Sequence, residues 1–289
     1  MPHPERIVDF HTHILPDEFR EERDRFTGAD ATFRSLFYDP GSRTASAEDL
    51  IAEMDASGVT TSVALGYGWT HPDAARLSND YLLNAARRYP GRIVPFCSVN
   101  PAWGRAAIKE AERCVSLGAR GIGELHPDSQ GFTVEDQAAM GALAGFAAEA
   151  AIAVLAHGSE PVGHDYPGKG RTTPDKLLAL AEAFPLTRFV FAHWGGGLPF
   201  FALMPEVRKA LENVWFDSAA TPYLYDPAVF SVVSAALGTE RMLFGSDFPL
   251  LDQSRVLDDA RGSGLDQGSL ARVFAGNAAA HLPIQAGGG

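Results

Sequence analysis

Ile7-Val8-Asp9-Phe10-His11-Thr12-His13 is the segment from which both the architecture and the chemistry of this 289-residue chain can first be predicted. Its first residues form a short apolar run of the kind that makes a buried β-strand. The run ends in two histidines at positions i and i+2, and side chains spaced by two lie on the same face of a strand. Two neutral imidazoles that converge at the end of a strand suit a borderline metal such as zinc. The segment therefore predicts a strand that carries half of a metal site.

Four more residues of metal-binding types come at the ends of later apolar runs. Because they repeat the placement of the two histidines, all six side chains share one structural position. The six candidates are His11, His13, Glu124, His157, His193 and Asp247. Imidazole and carboxylate groups are common ligands of divalent metals. The pattern therefore predicts one metal centre built from several segments of the chain.

The apolar runs recur at regular intervals and are separated by segments rich in Ala and Leu. This alternation is typical of β-strands that alternate with α-helices in a parallel sheet. The eight predicted strands are residues 6–11, 61–67, 93–99, 120–126, 152–157, 188–193, 214–218 and 242–247. An open doubly wound sheet would show the same alternation, but only a closed barrel brings the ends of strands 1, 4, 5, 6 and 8 to one centre. We therefore predict an α/β fold, a single (β/α)8 TIM barrel.

Three connections are longer than the usual link between a strand and a helix. Residues 14–45, 67–77 and 158–173 each follow a predicted strand, so they are expected on the catalytic face, where they would shape the pocket. No stretch rich in Pro, Ser or Gly divides the chain into halves. Residues 1–289 are therefore predicted to form one domain.

The composition disfavours several classes of protein. Apolar residues make up 46% of the chain and charged residues 21%, which is ordinary for a globular protein with a sizeable core. A formal net charge of −12 argues against a nucleic-acid partner, because binding phosphates needs a basic surface. No apolar run approaches the roughly 20 residues of a membrane helix, and the first residues lack the features of a signal peptide. We expect a cytoplasmic protein that acts on a small molecule, with neither nucleic acid nor membrane as a partner.

Several motifs, taken together and in order, resemble the amidohydrolase superfamily. They are Asp9-Phe10-His11-Thr12-His13, His157-Gly158, Ala192-His193-Trp194-Gly195-Gly196, Phe244-Gly245-Ser246-Asp247-Phe248-Pro249 and Gly276-Asn277-Ala278-Ala279. Within the superfamily they are most similar to the branch that contains aminocarboxymuconate semialdehyde decarboxylase. The resemblance covers nearly the whole chain and admits a homodimer, since barrels of this branch often dimerise.

The resemblance implies roles for five of the six candidates. His11, His13, His157 and Asp247 would hold a divalent metal, and Zn2+ is expected for a set rich in imidazoles. His193 would be a ligand of a second metal or a catalytic acid and base. Asp247 would accept a proton from a metal-activated water and pass it to a leaving group. Asp247 and His193 are therefore the predicted catalytic residues.

Glu124 decides between one metal ion and two. The segment Gly121-Ile122-Gly123-Glu124 resembles the strand-4 motif of TatD-type deoxyribonucleases, in which the glutamate helps to bridge two metals. The alternative is a carboxylate that orients a ligating imidazole. We expect one ion and keep two as the alternative, and His126 is predicted to lie at the rim of the pocket.

Substrate contacts are predicted from the segment 159–171 and from Trp194. The segment contains His164, Lys169 and Arg171 among glycines, and cations in a flexible loop above a metal suit a lid that clamps an anionic group. A solvated loop is the alternative. Trp194 stands beside glycines that let a substrate approach the backbone.

These residues predict a metal-dependent hydrolase that attacks an amide, ester or lactone bond of a small, carboxylated substrate. A non-oxidative decarboxylase on the same metal site is the alternative, with His193 delivering the proton. A TatD-like phosphodiesterase is disfavoured by the net charge and by the lack of basic patches. A non-catalytic barrel that binds a ligand is disfavoured because a binding module has no need of five or six convergent metal ligands.

Overall fold

The computed structural model of the chain describes residues 6–281, with side chains up to residue 279. In these residues eight parallel strands pair in chain order within one sheet. The strands are β1 (Val8–His13), β2 (Thr61–Leu65), β3 (Ile93–Cys97), β4 (Gly121–Leu125), β5 (Ala153–Ala156), β6 (Arg188–Phe191), β7 (Val214–Asp217) and β8 (Met242–Leu243). Backbone hydrogen bonds from Phe10 N to Phe244 O (2.7 Å) and from His13 N to Phe248 O (2.6 Å) join β1 to the chain around β8 and close the barrel. The predicted (β/α)8 TIM barrel is therefore confirmed.

Helices follow the strands and cover the outside of the barrel. In chain order they are α1 (Asp17–Glu21), α2 (Arg23–Ala29), α3 (Ala31–Phe37), α4 (Ala47–Ser57), α5 (Pro72–Arg88), α6 (Arg105–Ser116), α7 (Pro127–Gln130), α8 (Gln137–Glu149), α9 (Pro174–Ala183), α10 (Pro205–Ala210), α11 (Thr221–Leu224), α12 (Val229–Leu237), α13 (Gln253–Gly262), α14 (Gln267–Ala271) and α15 (Asn277–His281). Every strand residue except Arg188 is buried, as expected for a parallel sheet whose two faces are both covered.

Local sequence signals explain where the helices begin and end, and α4 is the clearest case. The Ser46 side chain accepts a hydrogen bond from Asp49 N at 3.1 Å, and the Asp49 carboxylate accepts one from Ser46 N at 2.8 Å. This reciprocal cap satisfies two backbone donors that the first turn leaves free. At the other end Gly58 has a φ of 83°, a left-handed conformation that glycine adopts without steric cost.

The long connections lie at the carboxyl end of the barrel, as predicted. Residues 14–45 form α1 to α3, which pack a cluster of rings over the barrel mouth. This cluster contains Phe19, Phe26, Phe33, Phe37 and Trp69. The connections 67–77 and 158–173 border the same opening. This small hydrophobic cluster therefore holds residues 14–45 in place above the strand ends.

The eighth strand is shorter than predicted. It ends at Leu243, whereas the sequence pattern predicts a strand over 242–247. Beyond Leu243 the chain turns towards β1, where Asp247 N donates a hydrogen bond to His11 O at 2.9 Å. Asp247 has a φ of 69°, which no regular strand allows.

None of the described helices combines the length and the apolar character that crossing a membrane requires.

Candidate metal centre and active site

The structure brings the six predicted ligand residues together at the carboxyl ends of five strands. His11 and His13 lie in β1 and Glu124 in β4. His157, His193 and Asp247 lie in the segments directly after β5, β6 and β8. All are buried except Asp247, whose side chain is 13% exposed and borders the opening. One closed barrel thus converts six distant sequence positions into one cluster.

Four donor atoms form the tightest group in this cluster. The Nε2 atoms of His11 and His13 are 3.0 Å apart. Glu124 Oε2 lies 3.6 Å from His11 Nε2 and 3.5 Å from His13 Nε2. Asp247 Oδ1 lies 3.6 Å from both nitrogen atoms. Both carboxylate oxygens therefore lie within 3.6 Å of the same pair of imidazole nitrogens.

His157 and His193 face the other oxygen of Glu124. Oε1 lies 2.9 Å from His157 Nδ1 and 3.5 Å from His193 Nε2. The structure thus groups the donors differently from the set that the resemblance implies, because Glu124 rather than His157 stands beside His11 and His13. Among the described residues the buried Nε2 of His157 has no hydrogen-bond partner, and the His157 ring stacks on that of His126 at 4.3 Å.

Hydrogen bonds on the far side of three rings set the orientation of their free nitrogen atoms. The Nδ1 of His13 lies 3.3 Å from Leu65 O, and the Nδ1 of His193 lies 3.1 Å from Ala219 O. A carbonyl oxygen only accepts, so both Nδ1 atoms carry a proton. His11 Nδ1 lies 2.9 Å from an oxygen of Asp217 and donates in the same way. Each ring therefore directs Nε2 towards the cluster, which is the usual arrangement of histidines that bind metals.

The charges of the cluster favour a bound cation. Burial raises the pKa of Glu124, but the neighbouring imidazoles, His11 foremost, outweigh burial and hold that pKa well below its usual value. Burial lowers the pKa of His11, but Asp217 and Glu124 outweigh it and raise that pKa well above its usual value. Burial also lowers the pKa of His193, but Glu124 and Asp247 outweigh burial and raise that pKa to about 9. Ionised carboxylates thus create a negative potential that protons or a metal ion can neutralise.

The geometry of the four-atom group fits a divalent metal. Ligands placed 2.0 to 2.2 Å from a tetrahedral metal lie about 3.3 to 3.6 Å from one another. The distances between imidazole nitrogens and carboxylate oxygens here are 3.5 to 3.6 Å, and the two nitrogens are 3.0 Å apart. These distances suit ligands of one ion for His11 and His13 with either carboxylate, and His11, His13 and Glu124 form one of the groups whose donor atoms lie close enough together to share a metal.

The segment after β6 brings His193 into the cluster through an unusual backbone. Residues 193–197 all have positive φ angles, between 55° and 98°. Glycine allows this at three of the five positions. It also allows close contact, because a Cβ atom on Gly158 would lie 2.8 Å from Gly195 Cα. The glycine run therefore lets the chain after β6 pack directly against the chain after β5.

Comparison with known proteins identifies the family. A family model described as amidohydrolase matches residues 8–284. The chain belongs to the amidohydrolase family. The predicted membership of this superfamily is therefore confirmed, and the divalent metal centre agrees with it.

Solved structures of decarboxylases share the barrel of this amidohydrolase. 5-Carboxyvanillate decarboxylase from Sphingomonas paucimobilis matches 97% of this chain with 100% of its own, at a TM-score of 0.78 and 16% identity. 2,6-Dihydroxybenzoate decarboxylase from Rhizobium matches 95% of this chain with 97% of its own, at a TM-score of 0.72 and 18% identity. A dihydroxybenzoic acid decarboxylase from Polaromonas sp. JS666 was solved with bound manganese. It matches 95% of this chain with 96% of its own, at a TM-score of 0.73 and 16% identity. At these identities the likeness establishes the fold.

A cavity of about 590 Å³ opens above the cluster of this amidohydrolase. Glu124, His157, His193 and Asp247 line its floor. Eight of its lining residues carry rings or aliphatic side chains, namely Leu36, Phe37, Tyr67, Tyr166, Pro167, Tyr223, Leu224 and Leu250. Among the described residues, Arg43 is the only Lys or Arg that lines this cavity. The cavity is thus suited to a small, flat, largely apolar molecule.

The predicted substrate contacts lie in different places. His164 lines the cavity, but Lys169, Arg171 and Trp194 do not. Lys169 Nζ donates to Val162 O at 3.2 Å and to His164 O at 2.8 Å. The Arg171 side chain is 89% exposed and contacts Asp128.

Trp194 is fully buried among the helices of the amidohydrolase barrel. Its Nε1 donates to Thr221 Oγ1 at 2.9 Å, and its ring packs edge-on against Phe230 at 5.0 Å. The left-handed backbone at Trp194, with a φ of 57°, directs the ring away from the cavity.

Two residues of the site were not predicted from the sequence. Asp217, at the end of β7, accepts a hydrogen bond from His11 Nδ1. Its position directly after the apolar run 214–216 is the feature of the sequence that could have indicated it. Tyr67 lines the cavity after β2, and its ring stacks on His13 at 4.1 Å. Burial, with Asp247 and Glu124 nearby, raises the pKa of Tyr67 well above its usual value, so its hydroxyl stays protonated.

Proposed function

We propose that this amidohydrolase is a metal-dependent, non-oxidative decarboxylase of a small aromatic carboxylate. The observation that carries the proposal is a buried cluster of metal-binding side chains at the floor of a cavity walled by Phe37, Tyr67 and Tyr223. The names of three structures with the same fold, all decarboxylases of hydroxylated aromatic acids, support the same substrate class.

The reaction needs little from the protein besides position and one proton. The bond between the ring carbon and the carboxylate breaks, carbon dioxide leaves, and a proton takes its place on the ring carbon. No oxidant or reductant takes part. A cavity of low polarity favours this change, because it turns a hydrated anion into a neutral molecule. When bound, a divalent metal supplies positive charge that attracts and orients an anionic substrate.

His193 is the proposed proton donor. Its Nδ1 proton is held by Ala219 O, and a pKa of about 9 keeps a second proton on Nε2 at neutral pH. That proton points to Glu124 Oε1 at 3.5 Å, at the floor of the cavity. His193 can therefore deliver a proton to a ring carbon and recover it from solvent.

Arg43 is the proposed partner of a polar or anionic substituent on the substrate. Arg43 lines the cavity, and its guanidinium pairs with Asp252 at 2.8 Å. Both side chains of this pair are more than half exposed to solvent.

The proposed metal is Zn2+, held by His11, His13, Glu124 and Asp247. Imidazole nitrogens bind Zn2+ more tightly than Mn2+, following the general order of divalent metals. Three similar structures of decarboxylases contain manganese. Elemental analysis of protein grown with both metals tests the choice, and Mn2+ in excess over Zn2+ would refute it.

Isotope labelling tests the reaction. The purified, metal-loaded enzyme is offered 2,6-dihydroxybenzoate, 5-carboxyvanillate and simpler hydroxybenzoates in D2O. Decarboxylation releases carbon dioxide and leaves one deuterium on the ring carbon that carried the carboxylate. A parallel panel of amides, esters and lactones in 18O-labelled water is the control. Turnover that places labelled oxygen in the product without carbon dioxide release would show that the enzyme is a hydrolase.

Hydrolysis remains a second candidate because of Asp247. Its carboxylate lines the cavity and lies 3.6 Å from the Nε2 atoms of His11 and His13, so it can accept a proton from a water at the floor. In that case Asp247→Asn abolishes turnover of an amide, ester or lactone while metal remains bound.

A further inference from the structure

The end of β7 lies between two residues of the proposed site and contacts both. Asp217 is fully buried, and its Oδ2 lies 2.9 Å from His11 Nδ1. Its Oδ1 accepts hydrogen bonds from the backbone nitrogens of His193 at 3.1 Å and Ala219 at 3.0 Å. Ala219 O in turn holds the imidazole of His193 at 3.1 Å.

We propose that Asp217 is a positioning residue, which fixes the tautomer of His11 and its place relative to His193. A carboxylate can only accept, so His11 must donate through Nδ1. The lone pair of His11 is then on Nε2, 3.0 Å from His13 Nε2 and 3.6 Å from the nearest oxygens of Glu124 and Asp247. With the proton on Nε2 instead, His11 could not bind a metal at that position.

The second oxygen of Asp217 extends this control to His193. The backbone of His193 has a φ of 57°, which costs free energy unless neighbouring contacts enforce it. The hydrogen bond from His193 N to Asp217 Oδ1 is one such contact. One carboxylate therefore sets the distance between a metal-binding ring on β1 and the ring after β6. The effect on His11 is independent of the reaction, whereas the effect on turnover rests on the proposed function.

Asp217→Asn is the decisive variant, because it preserves shape and changes one acceptor into a donor. The two backbone nitrogens still need the oxygen of the new amide, so its NH2 group faces His11 Nδ1. Two donors cannot bond, and the conflict is relieved when His11 moves its proton to Nε2. An aspartate-to-asparagine change beside a catalytic histidine is known to select the wrong tautomer in this way.

The first measurement is metal affinity, by competition of Zn2+ with a chromophoric chelator. Asp217→Asn is expected to weaken Zn2+ binding by about 10- to 100-fold. The second is the ring 15N–1H NMR spectrum of the Zn2+-saturated protein. In the wild type His11 is expected to bind through Nε2 and to carry its proton on Nδ1, whereas in the variant it is expected to have left the metal and to carry its proton on Nε2. Unchanged affinity, or a His11 that keeps its Nδ1 proton in Asp217→Asn, overturns the proposal.

Asp9→Asn is the matched control. Asp9 is also fully buried and also receives two backbone hydrogen bonds, from His11 N at 3.1 Å and Ser246 N at 3.0 Å. Its other oxygen bonds Ser246 Oγ and Gln253 Nε2, so none of these contacts involves a ring nitrogen. The control is expected to keep Zn2+ affinity and the Nδ1 proton of His11 even if it unfolds more easily. Equal loss of affinity in both variants would reduce Asp217 to a structural role.

Asp217→Glu keeps the proposal testable if Asp217→Asn does not fold. It retains a carboxylate and is expected to keep the Nδ1 proton of His11, so an Nε2 proton in this variant also overturns the proposal. The outcomes separate this inference from the proposed function. Weak Zn2+ binding in Asp217→Asn together with a wild type that releases no carbon dioxide refutes the reaction only, and normal Zn2+ binding in an active decarboxylase refutes the positioning role only.

Discussion

The strand ends and the loop 158–173 both border the cavity, but they hold their polar side chains in different ways. At the strand ends three of the four rings that face the cluster are held by a hydrogen bond on their far side, as His13 is by Leu65 O and His193 by Ala219 O. In the loop, Lys169 bonds to carbonyl oxygens of the loop itself, and Arg171 bonds to Asp128 outside the cavity. The barrel therefore supplies positioned chemistry, while the loop supplies the shape of the wall. Four experiments test this difference.

The largest effect is expected for a strand-end residue that moves a proton. His193→Asn keeps a polar side chain but removes the acid, and loss of one general acid costs about 10² to 10⁴ in rate. Metal content should stay the same, because the proposed ligands are His11, His13, Glu124 and Asp247. Carbon dioxide release and elemental analysis measure both. A variant that turns over normally would show that the proton comes from another group.

Glu124→Gln is expected to have a smaller effect, on metal binding. The group of proposed ligands loses one anionic member, so we expect Zn2+ affinity to fall by at least the roughly 10- to 100-fold that is typical of residues that only orient a ligand. The wild type should bind one equivalent of Zn2+, because Oε1 already bonds His157 at 2.9 Å. Equilibrium dialysis with elemental analysis counts the ions. Two equivalents in the wild type, with one lost in Glu124→Gln, would mean that Glu124 bridges two metals.

The rate of decarboxylation is expected to fall about tenfold for each pH unit above the pKa of the group that donates the proton. The pKa of His193 is raised from 6.5 to about 9, so the protonated donor is present below that pH and is lost above it. Decarboxylation should therefore slow down as the pH rises through about 9. In His193→Asn the residual rate should lack this alkaline limb. A wild-type rate that increases with pH would favour Asp247 as a base and hence hydrolysis.

The convergence of the strand-end residues could be predicted because a parallel strand fixes the direction of its side chains. A ligand-type residue at the end of each apolar run therefore sufficed to place His11, Glu124 and Asp247 together. Which of these donor atoms lie nearest one another could not be predicted in this way. That choice depends on differences of about an ångström, such as whether His157 or Glu124 Oε2 stands beside His13.

Other features depend on backbone conformations that the sequence pattern does not encode. Trp194 was expected at the cavity, but positive φ angles at non-glycine residues direct its ring into the core. Asp247 leaves the strand geometry in the same way, which shortens β8. Asp217 also lies at the end of a strand, but no sequence motif marks a carboxylate that orients a metal-binding histidine.

The smallest effect is expected in the loop, where the cations Lys169 and Arg171 face away from the cavity. Lys169→Ala and Arg171→Ala should each leave kcat/KM nearly unchanged, because neither side chain lines the cavity. His164→Ala is the comparison within the same loop, and it should raise KM because that ring lines the cavity. Steady-state kinetics on one aromatic acid measure all three variants. If Lys169→Ala or Arg171→Ala raises KM at least as much as His164→Ala, the loop clamps the substrate anion after all, and its cations belong to the site.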